Sequence, residues 1–131
     1  MSTIFTKIVN KEIPCHLIKE DDRFLAFLDV MPLVEGHVLV IPKQEVDYIF
    51  DLEPELLGDL MKFAQTIAPA IKKVIPCKKV GVAVIGLEVP HAHVHLVPMN
   101  RMLDINFSQE KMKPSAESLA KTAELIRSFL L

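Results

Sequence analysis

Net charge is what this sequence most lacks: 15 lysines and arginines stand against 17 aspartates and glutamates, for a formal −2. Such a balance gives no whole-molecule field to draw in a nucleic acid or an anionic membrane, so neither is an expected partner, and any attraction for an anion has to be built locally. Long apolar runs are missing as well. None approaches the roughly 20 residues that span a bilayer, and the opening MSTIFTKIVN carries neither the basic flank nor the apolar stretch of a signal peptide. A cytoplasmic location is therefore expected. Cysteine is scarce: Cys15 and Cys77 stand far apart without CxxC spacing, which reads as two reduced packing residues rather than a disulfide or a metal pair. Repeats, low-complexity tracts and linkers are absent from the sequence too. Its 131 residues, half of them hydrophobic, predict one domain over 1–131 with one core.

Histidine is rare, five in all, yet His91, His93 and His95 stand at alternate positions in PHAHVHLVP. Ala92, Val94, Leu96 and Val97 are apolar and mostly β-formers, so the segment reads as a strand with imidazoles on one face and core on the other. Imidazole is the side chain whose ordinary pKa lets it serve as nucleophile, acid or base near neutrality. A polar row of this kind needs a polar occupant, a phosphate or a metal. Zinc sits about 2 Å from each ligating nitrogen, whereas on a flat strand the outer two Cα atoms are about 13 Å apart. Convergence of all three on one ion would be strained, and successive oxygens of an extended polyanion suit the spacing better. A histidine-rich metal site stays open as an alternative.

The rest of the chain supplies the elements. Ile4 to Val9 reads as a short helix or turn, Leu17 to Glu20 as a short strand, and Asp21 and Asp22 as the turn after it. Phe24 to Leu28 and His37 to Ile41 read as two strands joined by a loop holding Pro32 and Gly36. Between Asp51 and Ile75 apolar residues recur at helical spacing, Leu56, Leu57, Leu60, Phe63, Ala64, Ile67, Ile71 and Val74, with Pro54 in the first turn and Pro69 expected to bend the helix near Gln65. Val80 to Ile85 is an apolar strand, and Gly86 turns the chain toward the histidines. Pro114 and Ser115 open a last helix with an apolar stripe of Leu119, Ala123, Ile126 and Leu130. This order predicts an α+β fold with an antiparallel sheet.

Imidazole and phosphate chemistry narrow the function. Attack by a ring nitrogen at an α-phosphate splits one displacement into two through a phosphohistidine-type intermediate. The attacking nitrogen has to be unprotonated and aimed, which requires an acceptor on the other ring nitrogen, while neighbouring donors hold the charge on the phosphoryl oxygens.

HAHVHLV resembles the motif of the histidine triad (HIT) family of nucleotide-binding phosphoramidases and hydrolases. IFTKIVNKEIP, EDDRFLAFLDVMP and EGHVLVIPK stand in the order and at about the spacing of its Hint-like branch, and DLEPELLGDLMKFAQTIAPAIKKV takes the place of its long helix. The likeness covers most of residues 3 to 98, leaving a helical tail over about 99–131. It implies a five-stranded antiparallel sheet carrying the long helix, and a homodimer whose sheets join edge to edge. It also implies roles: His93 as the nucleophile, His95 at the phosphate and the bridging atom of the leaving group, His91 and His37 as supporting histidines, and Asp29 at the ribose hydroxyls. Ile4, Phe5, Ile8, Phe27, Val30 and Leu39 match the walls around the base, and Gly86 and Glu88 fit the end of the phosphate loop. Taken singly, His37 reads as a satisfied residue beside the core, Asp29 as a turn or cap, and each apolar residue as core.

Three departures accompany the resemblance. The loop before the triad is shortened, with Leu87 where glutamine is frequent, no counterpart of a phosphate-binding asparagine, and a carboxylate at Glu88. Thr3, Thr6 and Glu45 occupy positions at which some relatives place cysteines and a histidine around structural zinc, so no metal or other cofactor is expected. The tail from Met99, Arg101 included, has no signature. The implied activity is cleavage of a purine nucleoside phosphoramidate or related nucleotide phosphate ester through a nucleotidyl-histidine, with a purine mononucleotide or nucleotide conjugate as the partner. A nucleotide-binding module with little turnover and a dinucleoside polyphosphate hydrolase are the alternatives.

Overall fold

Two β-rich segments with a tight aspartate turn between them start the sheet. The computed structural model describes residues 2–130, and in it β1 (Leu17–Glu20) and β2 (Phe24–Leu28) pair antiparallel. The turn is closed by Asp21, whose carboxylate accepts the amide hydrogens of Arg23 and Phe24, each at 2.8 Å. β3 (Val38–Pro42) pairs antiparallel with β2, β4 (Lys79–Ala83) with β5 (Val94–Met99), and β5 with β3, giving one five-stranded sheet in the order β1-β2-β3-β5-β4. The α+β, antiparallel expectation is met.

The helices follow from local pattern. α1 (Ile4–Val9) begins at Thr3, whose hydroxyl accepts the Thr6 amide hydrogen at 3.0 Å. α2 (Pro54–Val74) places Pro54 in its first turn, where the missing N–H costs nothing, and continues unbroken through Pro69. Leu60, Phe63, Ala64, Ile67, Ala70 and Ile71 form its buried stripe. α3 (Ala116–Ser128), capped by Ser115, buries Leu119, Ala123 and Ile126.

Each sheet face meets its own cover. Ala26, Leu28, Val38, Val40, Val94 and Leu96 join α2 and α3 in the larger core. Leu25, Phe27, Leu39 and Ile41 on the opposite face pack against Phe5 and Ile8 of α1. Register carries Phe27, Leu39 and His95 side by side across β2, β3 and β5. This row is the floor of the candidate site.

Several expected boundaries shift. β5 begins only at Val94, so His91 and His93 precede the strand: the Ala92 amide bonds the Val46 carbonyl at 2.7 Å in place of a ladder partner. β4 stops at Ala83, leaving Val84 and Ile85 exposed beyond it. His37 stands just before β3, Asp51 belongs to a short 3-10 turn ahead of α2, and a second 3-10 turn, Met102–Ile105, interrupts the tail.

Candidate active site

Four imidazoles gather at the start of β5 and the entry to β3, and their hydrogen bonds decide which nitrogen holds each proton. The Leu33 amide donates to His37 Nδ1 at 3.1 Å, so that nitrogen is an acceptor and the ring proton sits on Nε2. His37 Nε2 lies 2.9 Å from His95 Nδ1 and donates to it. In its neutral form His95 then carries its own proton on Nε2. Both rings are held neutral: burial pushes His37 down to about 4, with the charges of Lys111 and His93 adding to it, and burial with the charges of His93, His37 and Lys111 pushes His95 down to about 3.

His93 is set the opposite way. Its Nδ1 donates to the His91 carbonyl at 2.7 Å, which in the neutral ring places the lone pair on Nε2. The His93 and His95 rings meet edge to face with centroids 4.8 Å apart, and Phe5 stands edge to face 5.0 Å from His93. In its neutral form His93 therefore presents a lone pair beside the N–H of His95, the pairing that attack at phosphorus and departure of a leaving group require.

His91 is fully buried and both its nitrogens are spent on the protein. Nε2 donates to the Pro42 carbonyl at 2.8 Å, and Nδ1 accepts from the Thr3 hydroxyl at 3.0 Å. The Thr6 hydroxyl donates to Glu45 at 2.6 Å, and the Thr3 amide donates to the same oxygen at 2.9 Å. This network occupies the positions where zinc-binding relatives are expected to carry cysteines, and its donor set does not fit that ion. Threonine hydroxyls stay protonated, leaving one carboxylate and one imidazole of the usual ligand types. A second grouping, Asp29, His37 and His95, has potential ligand atoms within 4.8 Å of one another. An ion there would have to displace the bond between His37 and His95.

Asp29 follows β2 directly. One carboxylate oxygen accepts the Met31 amide at 2.9 Å in a turn, and the other stands 3.8 Å from His37 Nε2. That contact is not an ion pair, since His37 is neutral. Burial raises the Asp29 carboxyl, partly offset by the Met31 hydrogen bond and the Lys111 charge. Of the six expected wall residues, Phe5, Ile8, Phe27 and Leu39 come together in one buried cluster, with Phe5 and Phe27 in edge contact at 5.5 Å. Ile4 and Val30 stand outside it, 53% and 57% exposed. Gly86, at φ +69°, turns the chain beside a cavity of about 710 Å³ that reaches His93. Glu88 is exposed, and its charge acts on Asp29.

The sequence reading missed Phe107. Its ring lies 4.7 Å from His95 and 6.1 Å from His37, edge to face with both. A single aromatic in the polar stretch NFSQEK is the one local sign of it.

Comparison with known proteins agrees with this architecture. The family model for the HIT domain matches residues 10–102. An uncharacterized HIT-like protein of Borreliella burgdorferi is 36% identical over 102 residues, covering 72% of this chain and 73% of its own. Adenosine 5'-monophosphoramidase HNT1 of Saccharomyces cerevisiae is 38% identical over 96 residues, covering 72% of this chain and 61% of its own. A crystal structure of a Hit-like protein involved in cell-cycle regulation from Bartonella henselae superposes with a TM-score of 0.83 at 33% identity, covering 97% of this chain and 95% of its own. The ladder of imidazoles, the sheet that carries it and these matches together make the chain a member of the histidine triad family.

Proposed function

We propose that this protein hydrolyses purine nucleoside phosphoramidates, or related nucleotide phosphate esters, through a nucleotidyl-His93 intermediate. The observation that carries the reading is the proton pattern: a lone pair on His93 Nε2 next to an N–H on His95 Nε2. His93 Nε2 attacks the α-phosphorus, and the leaving group departs with the electron pair of its bond to phosphorus. His95 Nε2 donates a hydrogen bond to the bridging atom as charge develops there. Water then attacks the same phosphorus, breaks the bond to nitrogen and frees His93. His91 orients the nucleophile through its carbonyl, and His37 fixes the tautomer of His95.

Asp29 is assigned to the ribose hydroxyls and Ile4, Phe5, Ile8, Phe27, Val30 and Leu39 to the base, with Gly86 and Glu88 at the phosphate end. The yeast relative, an adenosine 5'-monophosphoramidase, supports adenosine as the base. A homodimer is part of the same reading, supported by β4 as a sheet edge beside the exposed apolar residues Met61, Val82, Val84 and Ile85. Two free cysteines fit a reducing compartment, the cytoplasm. No helix among the described residues is long and apolar enough to cross a membrane.

A panel of adenosine phosphoramidates and dinucleoside polyphosphates, run on wild type and His93→Ala, tests the proposal. His93→Ala is expected to abolish turnover with nucleotide affinity largely intact, and radiolabel from the nucleotide is expected on His93 of the wild type. Wild-type rates in the variant would refute the assignment. A second reading, a binder with little turnover, is favoured by one observation, the Phe107 ring laid against His95. Tight binding with no covalent label would select it.

A further inference from the structure

The chain between β5 and α3 returns to the imidazoles. Asp104 closes the first turn of this strap by accepting the amide hydrogens of Asn100 and Arg101 at 2.8 and 3.2 Å. Phe107 then packs on His95 and His37. Further on, the Met112 amide donates to the Pro32 carbonyl at 2.9 Å, tying the strap to the loop that follows Asp29. Met112 and Pro114 line a small cavity of about 110 Å³ together with Asp29 and His37. Lys111 sits between these two anchors.

Lys111 is half-buried and makes no ion pair among the described residues. Its charge is felt at Asp29, His37 and His95, whose ligating atoms cluster within 4.8 Å. Asp29 is the carboxylate on which that charge acts, and no ion pair joins the two among the described residues, so the partly desolvated ammonium keeps its donors for a further anion. The loop from Gly86 to Pro90 offers a phosphate no side-chain donor, since Leu87, Glu88, Val89 and Pro90 include no amide, hydroxyl or cationic side chain. Charge developing on phosphoryl oxygens nevertheless needs donors.

We propose that Lys111 holds the phosphoryl oxygens of a nucleotide bound at His93, so that the strap between β5 and α3 forms part of the binding site. The inference rests on the nucleotide reading above. Phe107 and Met112 act through Lys111 as positioning residues.

Calorimetric titration with adenosine monophosphate, and separately with adenosine, tests it on wild type, Lys111→Gln, Lys111→Arg and the exposed neighbour variant Lys113→Gln. Adenosine shares the base and ribose but not the phosphate. Lys111→Gln is expected to weaken the monophosphate about tenfold or more, the scale of one charge-assisted hydrogen bond, and to leave adenosine unchanged. Lys111→Arg should keep most of the affinity, and Lys113→Gln should match wild type. Unchanged monophosphate affinity in Lys111→Gln, a parallel loss for both ligands, or an equal loss in Lys113→Gln overturns the proposal. A wild type that binds neither ligand overturns the nucleotide reading itself, and this inference falls with it.

Discussion

Protonated imidazoles packed as closely as His37 and His95, whose ring centroids lie 5.2 Å apart, would repel one another, so the neutrality of this pair is a condition of the fold. Burial depresses His37 to about 4 and His95 to about 3, below the 6.5 of an ordinary histidine. Between these values the unfolded chain binds more protons than the folded one. The stability contributed by the pair is therefore complete above pH 6.5 and is lost as pH falls through the folded values. A urea midpoint that declines from pH 6.5 to about 5 is expected, a window above the range where the lowered carboxylates Glu20, Glu45 and Asp104 titrate. A midpoint flat from pH 7 down to 5 would show the rings to be freely protonated. At this scale the alternating histidines were legible, because spacing is a property of the sequence. The site of each proton was not. Leu33, Pro42 and Thr3, which fix the tautomers of His37 and His91, lie between four and 88 positions away from their partners.

Elements were legible wherever one strong local signal governs them. α2 follows from its apolar periodicity, β2 and β3 from β-forming runs closed by Pro32 and Gly36, and α3 from its serine cap. Boundaries moved where a distant partner competes with the ladder, as Val46 does at Ala92. Gly36 shows how an element end serves the site. At φ +88° it allows the turn that presents His37, and an added Cβ would lie 2.6 Å from the Ile75 Cγ1. Gly36→Ala is expected to destabilise the fold by about 1–3 kcal/mol and to disturb the bond between His37 and His95. Chemical denaturation and the nitrogen chemical shifts of His95 check both effects, and a variant with wild-type values in each would remove Gly36 from this role.

Across the whole molecule, β4 leaves one sheet edge unpaired beside exposed Val82, Val84 and Ile85, a surface that pairs readily with another strand. Val82→Lys is expected to convert a dimer to a monomer in sedimentation velocity, and a wild type that sediments as a monomer at micromolar concentration would defeat the dimer proposal. The sequence by itself determined the element types, the α+β class and the identity of the histidine ladder, because propensity, periodicity and spacing act between near neighbours. Tertiary structure alone decided the strand order, the tautomers and the return of Phe107 to His95. Those contacts join residues far apart along the chain, and burial, which fixes their charge states, exists only once the sheet, α1 and the strap have closed around them.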